Sequence, residues 1–137
     1  MSEADVDTIR AGLAALNKRD VDGMLASLQP DAELVPLRAV LEGTVYRGHG
    51  GLRQWLADMA EDWDDLRIDT DEVRSLDGGR VLVLGRFHAR GKSSGVRLDQ
   101  AAAWICELAG GKVARIRFFA DADAALGAAA PPAAGEA

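Results

Sequence analysis

The sequence predicts a single α+β domain in which helices come first and an antiparallel sheet follows. Apolar residues recur at helical spacing through most of the first 63 of the 137 residues. From Leu66 onward, apolar and polar residues alternate, as they do in half-buried strands. Glycine-containing turns at 77–79, 91–95 and 109–112 divide this second part into four strands joined as hairpins.

Two helices open the chain. Ser2, with Asp5 three residues later, is a capping signal for the first helix. The apolar side of that helix is Val6, Ile9, Leu13 and Leu16. Asp20 is placed to cap a second, shorter helix, which we expect Pro30 to end. The apolar side of the second helix is Val21, Met24, Leu25 and Leu28.

A strand and a third helix come next. The segment DAELVPL, residues 31–37, is typical of a strand, and Pro36 places its end at a sheet edge or a bulge. We expect a loop over residues 38–45. The apolar stripe of the third helix is Leu52, Trp55, Leu56, Met59 and Trp63.

Three glycines surround His49 where the third helix should begin. A phosphate-binding loop would need Lys and then Ser or Thr after the glycines, where this chain has Leu52 and Arg53. A lone polar residue at such a position is more often structural than catalytic. We therefore interpret Gly48–Gly51 as a tight entry into the helix, with His49 at its rim.

The composition excludes several classes of function. The net charge of −6 and the pI near 4.8 argue against a nucleic-acid surface, which needs a basic face. No apolar run is long enough to cross a membrane, and the acidic N-terminus does not resemble a signal peptide, so we expect a cytoplasmic protein. Cys106 is the single cysteine, which excludes an internal disulfide and a multi-cysteine metal site. We expect no metal and no cofactor.

The C-terminal residues predict little packed structure. A short helix is expected over residues 121–126, with Asp121 or Asp123 as its cap. The remainder, GAAAPPAAGEA, is rich in Ala and Pro and offers nothing large to bury. We therefore expect a domain over residues 1–127 and a mobile tail over residues 128–137.

Four segments resemble one superfamily: RDVDGMLASLQPDAEL, YRGHGGLRQWL, SGVRLDQ and GGKVARIRFFAD. Together they are similar to the nuclear transport factor 2-like superfamily and, within it, to the SnoaL-like proteins, over residues 4–127. The resemblance implies a cone-shaped, curved antiparallel sheet wrapped around three helices, with a ligand pocket at the wide end. It also implies a homodimer.

The catalytic residues of the family's enzymes do not carry over. The tyrosine and two aspartates of the isomerases align with Gly12, Pro36 and Ala103, none of which has a side chain that exchanges a proton. The inward acid of the cyclases and epoxide hydrolases aligns near Phe118. The Arg-x-Asp of the hydrolases falls at Arg86–His88, with His in place of Asp. A fold alone does not define a function, so the function must be argued from the site.

His88, Asp99 and Arg86 are the candidate catalytic residues. A hairpin tip at Ser93–Ser94 would pair His88 with Asp99, Arg86 with Ala101, and Arg90 with Arg97. The His–Asp pair could then act as an oriented general base, and Arg86 could hold a ligand oxygen. A shift of one residue would separate the pair to opposite faces. The alternative is a ladder of charges on the outer face of the sheet.

The candidate ligand-binding residues would form a largely apolar pocket. They are Tyr46, Trp55, Met59, Ala101, Ala103, Ile116 and Phe118. We expect the Tyr46 hydroxyl to be free near the pocket mouth, Ala101 and Ala103 to face the cavity, and Trp104 to face outward beneath a dimer partner.

The sequence therefore predicts a small-molecule-binding protein with an apolar pocket and no assigned activity. The alternative is an enzyme of the cyclase, hydrolase or isomerase type. It would act on a small hydrophobic or polyketide-like substrate through His88 and Asp99.

Overall fold

A computed structural model describes residues 3–36, 45–76, 78–119 and 122–129, and these residues form four helices and six strands. The helices are α1 (Glu3–Asn17), α2 (Val21–Ala26), α3 (Gly48–Asp62) and α4 (Ala122–Ala129). The strands are β1 (Leu28–Val35), β2 (Tyr46–Arg47), β3 (Trp63–Leu76), β4 (Arg80–Gly91), β5 (Arg97–Ala109) and β6 (Lys112–Phe119). The predicted α+β class is confirmed.

The strands form one curved, unclosed sheet in the order β2-β1-β6-β5-β4-β3. The predicted antiparallel meander of β3 to β6 is confirmed by the pairing of each strand with the next. Two features are additional to the prediction: β1 pairs with β6 in parallel, and the two-residue β2 adds an edge strand. Neither has a local sequence signal, because a parallel pairing joins distant segments and two residues cannot show a period.

The first connection follows from capping and proline chemistry. The Asp20 carboxylate accepts a hydrogen bond of 3.1 Å from the Gly23 N–H, which confirms it as the cap of α2. The prediction that Pro30 ends this helix is wrong, because α2 ends at Ala26 and Pro30 lies within β1. The pairing of β1 with β6 shifts between Leu28 and Glu33, and such an irregularity tolerates a proline. Ser2 lies outside the described residues.

The glycine run does open α3, which confirms the helix-entry interpretation. Gly48 has a φ of +72°, a conformation that side chains other than glycine rarely adopt. A Cβ on Gly51 would lie 2.9 Å from the Tyr46 carbonyl carbon. His49 sits in the first turn, with its Nε2 atom 3.3 Å from the Leu28 carbonyl oxygen. The run therefore lets α3 start close against β1 and β2.

The sheet buries apolar residues on both faces. We call the face that packs on α1, α2 and α3 the inner face, and the opposite one the outer face. Val83 and Trp104 lie on the inner face, in the main core. On the outer face, Leu82, Ala103 and Ile105 are fully buried in a second cluster with Ala125 of α4. Helix α4 thus covers part of the outer face.

The C-terminal helix is longer than predicted. Residues 128 and 129, assigned to the mobile tail, are the last two of α4. Asp123 lies in its first turn. The expected cap at Asp121 and the rest of the tail, residues 130–137, lie outside the described residues. None of the described helices is long and apolar enough to cross a membrane.

Candidate functional site

An apolar cavity lies between the helices and the inner face of the sheet, and we call it the inner cavity. Its free volume is about 90 Å³. Helix α1 contributes Ile9, Gly12 and Leu16, α3 contributes Leu52 and Trp55, and the sheet contributes the opposite wall. The sheet residues include Leu28, Ile68, Val83, Trp104, Ile116 and Phe118.

Three aromatic rings meet at this cavity. Phe118 contacts Trp104 edge to face, with ring centroids 5.7 Å apart and planes at 81°. It contacts Trp55 in the same manner, at 5.8 Å and 65°. Edge-to-face pairs of this kind add to the stability that burial of the rings provides. The trio therefore joins α3 to the sheet across one side of the cavity.

Apart from the indole N–H groups of Trp55 and Trp104, two polar side chains line the inner cavity among the described residues: Ser27 and Cys106. The Ser27 hydroxyl is engaged, because it donates a hydrogen bond of 2.8 Å to the Met24 carbonyl. Burial raises the pKa of the Cys106 thiol to about 12, so the thiol stays neutral and weakly nucleophilic near pH 7. Neither group can act as a general acid or base at neutral pH.

Three of the predicted ligand-binding residues, Trp55, Ile116 and Phe118, line the inner cavity. Met59 lines a separate groove between α2 and α3. Tyr46 is buried, and its hydroxyl donates a hydrogen bond of 2.7 Å to Asp58 Oδ2. The expectation of a free Tyr46 hydroxyl is therefore wrong, because the second half of α3 brings the Asp58 carboxylate to it.

The predicted facing of β5 is also wrong. Ala103 lies on the outer face beneath α4, and Ala101 is an exposed residue of the same face. Trp104 points to the inner cavity and is 3% exposed, so it offers no surface to a dimer partner. Residues 103–106 are all buried. A run that is buried on both faces of a sheet shows no alternation of apolar and polar residues, so the sequence does not indicate which side chains lie on which face.

The predicted hairpin register is confirmed. His88 lies opposite Asp99, Arg86 opposite Ala101, and Arg90 opposite Arg97. All of these residues, however, share the outer-face phase of β4 and β5, the phase of Leu82 and Ala103. The candidate catalytic residues and the inner cavity are therefore on opposite sides of the sheet.

His88 lies between two carboxylates on this outer face. Its Nδ1 atom is 3.7 Å from Asp99 Oδ1, and its Nε2 atom is 2.8 Å from Asp69 Oδ2 but poorly aligned for a hydrogen bond. The Arg86 Nε–H donates a hydrogen bond of 2.8 Å to Asp99, which lowers the pKa of that carboxyl. The corresponding contact of Arg67 lowers the pKa of Asp69. The group forms a half-exposed ladder of alternating charges.

Asp69 and Arg67 are the members of this ladder that sequence reasoning missed. Asp69 sits on β3 opposite Arg86, and β4 lies between it and Asp99 of β5. The alternation of LRIDTDEV does predict that Arg67 and Asp69 share a face. What the pattern lacks is the register of β3 against β4, which shifts between Asp64 and Arg67 and again between Thr70 and Glu72.

His88 and Asp99 do line a second space, which we call the charged cleft. It has a volume of about 490 Å³ and lies where α1 ends beside the ends of β3, β4 and β5. Asn17 helps to shape it, because its side-chain amide accepts from the Ile68 N–H and donates to the Ile68 carbonyl, both at 2.9 Å. Within the parts of the chain that the structure describes, no cluster of potential metal ligands occurs.

Comparison with known proteins identifies relatives over most of the chain. The SnoaL-like domain family matches residues 9–116. Uncharacterised proteins of Mycobacterium tuberculosis and Mycobacterium bovis are 32% identical over 122 residues, which is 87% of this chain and 91% of theirs. The names of these relatives assign them no function.

Solved structures share the fold. TerC, co-crystallised with polyporic acid, superposes with a TM-score of 0.78 at 23% identity, over 93% of this chain and 98% of that chain. A nuclear transport factor 2-like protein of unknown function from Burkholderia pseudomallei also has a TM-score of 0.78, at 20% identity, over 96% of this chain and all of the other. These similarities establish the architecture and leave the function to the site itself.

Proposed function

This chain belongs to the SnoaL-like domain family, and we propose that it binds a small apolar molecule in the inner cavity without acid–base chemistry. The observation that carries the proposal is the lining: among its described residues, only two indole N–H groups, an engaged hydroxyl and a neutral thiol interrupt the apolar wall. Sites for apolar ligands have this character.

The volume limits the ligand. A cavity of about 90 Å³ is below the roughly 300–1,000 Å³ of pockets for drug-sized molecules. It is of the same order as the roughly 150 Å³ engineered cavity that binds benzene. We therefore expect a ligand of about one ring, held by contact with Trp55, Trp104 and Phe118. That TerC was crystallised with polyporic acid supports small-molecule binding on this fold.

The alternative enzyme gains no support from this cavity, because His88 and Asp99 lie on the other face of the sheet.

A homodimer stays a prediction that rests on family resemblance, and Trp104 no longer supports it. Sedimentation of the purified protein at dilute concentration tests the dimer directly. A cytoplasmic location also stays a prediction.

Titration with toluene tests the proposed function. We expect toluene to raise the melting temperature and to change the fluorescence of Trp55 and Trp104. Gly12→Leu should weaken this response by about tenfold or more, because the new side chain enters the cavity that Gly12 lines.

Gly12→Ala is the matched control for the change in helix propensity, and its Cβ needs only a small shift of the Ser27 hydroxyl, 3.1 Å away. Ile116→Phe fills the same cavity from the sheet, should Gly12→Leu fold poorly. A native protein that ignores toluene, or filled variants that respond as the native protein does, would contradict the proposal.

A further inference from the structure

We infer that the charged cleft binds the head group of an amphipathic carboxylate whose hydrocarbon part lies in the groove between α2 and α3. The cleft is lined by four arginines and two aspartates, although the whole chain has a net charge of −6. These residues are Arg19, Arg67, Arg90, Arg97, Asp65 and Asp99. A local excess of positive charge on an acidic protein favours an anionic ligand.

Two of the arginines face each other, and carboxylates neutralise their charges only in part. Arg90 lies directly opposite Arg97 on the neighbouring strand, and like charges so placed destabilise a sheet. Arg90 contacts Asp65, with Nη2 and Oδ2 2.9 Å apart. Within the described part of the chain, Arg97 has no carboxylate within 4.0 Å. A bound anion would relieve the repulsion between the two guanidinium groups.

The remaining charged residues of the cleft, except Arg19, are already paired with opposite charges. Arg67 holds Asp69 through two hydrogen bonds of 3.0 and 3.2 Å, and Asp99 accepts from Arg86. Arg19 donates to the Leu16 carbonyl at 3.1 Å and has no carboxylate within 4.0 Å among the described residues. Arg19 and Arg97 are therefore the two guanidinium groups open to an outside anion.

Arg19 also marks where the cleft meets an apolar groove. The groove has a volume of about 290 Å³ and lies between α2 and α3. Arg19 and Leu66 line both the groove and the cleft, so the two spaces adjoin. The other groove residues are apolar, among them Val21, Leu56, Met59 and Trp63.

A molecule that satisfies both spaces has an apolar body and one anionic head. Guanidinium groups bind planar carboxylates through paired hydrogen bonds, which favours a carboxylate as that head. The groove shares only Leu16 and Met24 with the inner cavity, and the cleft shares no residue with the inner cavity. This inference therefore stands apart from the proposed function and can fail separately.

Calorimetric titration with octanoate and with 1-octanol tests the inference at low ionic strength. We expect octanoate to bind more tightly than octanol. Arg97→Gln should weaken octanoate by about tenfold, the scale of one charge-assisted contact, and leave octanol unchanged. Arg53→Gln removes another exposed arginine charge, on α3 and outside the groove and cleft, and should change neither affinity.

A second variant locates the hydrocarbon part. Ala60→Phe places a ring in the groove from an exposed position, so we expect it to weaken octanoate and octanol alike. Gly12→Leu, which fills the inner cavity, should leave octanoate binding intact. Equal binding of octanoate and octanol by the native protein, no effect of Arg97→Gln, or loss of octanoate binding in Gly12→Leu would each overturn the inference.

Discussion

Trp104 and Phe118 lie opposite each other on β5 and β6, and their rings meet edge to face at the inner cavity, with centroids 5.7 Å apart. Phe118 makes the same kind of contact with Trp55 of α3. These rings belong at once to the core that holds α3 on the sheet and to the wall of the cavity. Stability and ligand binding therefore depend on the same side chains.

Truncation of Trp104 should be costly. Trp104→Ala removes a ring that is 3% exposed, and we expect the free energy of unfolding to fall by about 3–5 kcal/mol. For Trp104→Arg we expect the free energy of unfolding to fall further, because the charge would enter an apolar cavity. This variant should unfold rather than dissociate from a dimer. Urea denaturation measures both changes, with Val96→Ala, at a position 62% exposed, as the control. A loss below 1 kcal/mol for Trp104→Ala would contradict this placement.

Two glycines should respond in opposite ways to alanine. A Cβ on Gly85 of β4 would lie 2.2 Å from the Asp69 carbonyl oxygen of β3, so Gly85→Ala forces these backbones apart. A Cβ on Gly50 of α3 meets nothing within 4 Å, so Gly50→Ala should stabilise the helix by up to about 1 kcal/mol. Thermal unfolding compares the two variants. Similar melting temperatures for both would be inconsistent with the register of β3 on β4.

Two arginine–carboxylate pairs on the outer face, Arg86 with Asp99 and Arg74 with Glu72, predict a reciprocal pair of titrations. Arg86 lowers the pKa of Asp99 below its ordinary value of 3.8, and Arg74 lowers that of Glu72 below 4.5. Each carboxylate therefore stabilises the fold above its ordinary pKa, and this contribution is lost as the pH falls through the lowered value.

Arg86→Gln should raise the pKa of Asp99 and leave that of Glu72 unchanged, and Arg74→Gln should do the reverse. Carboxyl carbon shifts measured by NMR between pH 2 and 7 separate the two effects. A pKa of Asp99 that does not move in Arg86→Gln would mean that this contact does not form in solution.

Cys106 should be inert while the protein is folded. Burial raises the pKa of its thiol to about 12, so very few molecules carry the reactive thiolate at pH 8. We expect slow labelling by iodoacetamide in buffer and rapid labelling in urea, followed by mass spectrometry. Labelling in buffer at the rate seen in urea would show that the cavity wall opens readily.

Local patterns in the sequence were sufficient for the hairpin that carries the charged ladder. The strands 80–90 and 96–108 are long, and the turn between them is short. The position of the centre of this turn was therefore enough to predict the pairing of His88 with Asp99. The same patterns did not predict which side chains of β5 lie on the inner face and which on the outer face. Its central run, AAAWIC, is apolar throughout because the inner face packs on the helices while the outer face is covered by α4.

The inner cavity could be predicted in part and the charged cleft could not, because only local patterns can be read from the sequence. Trp55, Ile116 and Phe118 stand on elements with a readable apolar stripe, and all three line the inner cavity. The charged cleft joins Arg19, after α1, to Arg97 at the start of β5. That juxtaposition depends on how the ends of distant elements meet, which no local pattern encodes.

The location of a bound ligand tests the central claim most directly. In methyl NMR spectra of the native protein, toluene should shift the methyl signals of Ile9, Ile68, Val83, Val113 and Ile116, which line the inner cavity. The methyls of Val96 and Leu126, which are exposed, should not move. Shifts confined to the cavity methyls are the result that the account predicts. Shifts at the exposed methyls alone, or none at saturating toluene, would contradict it.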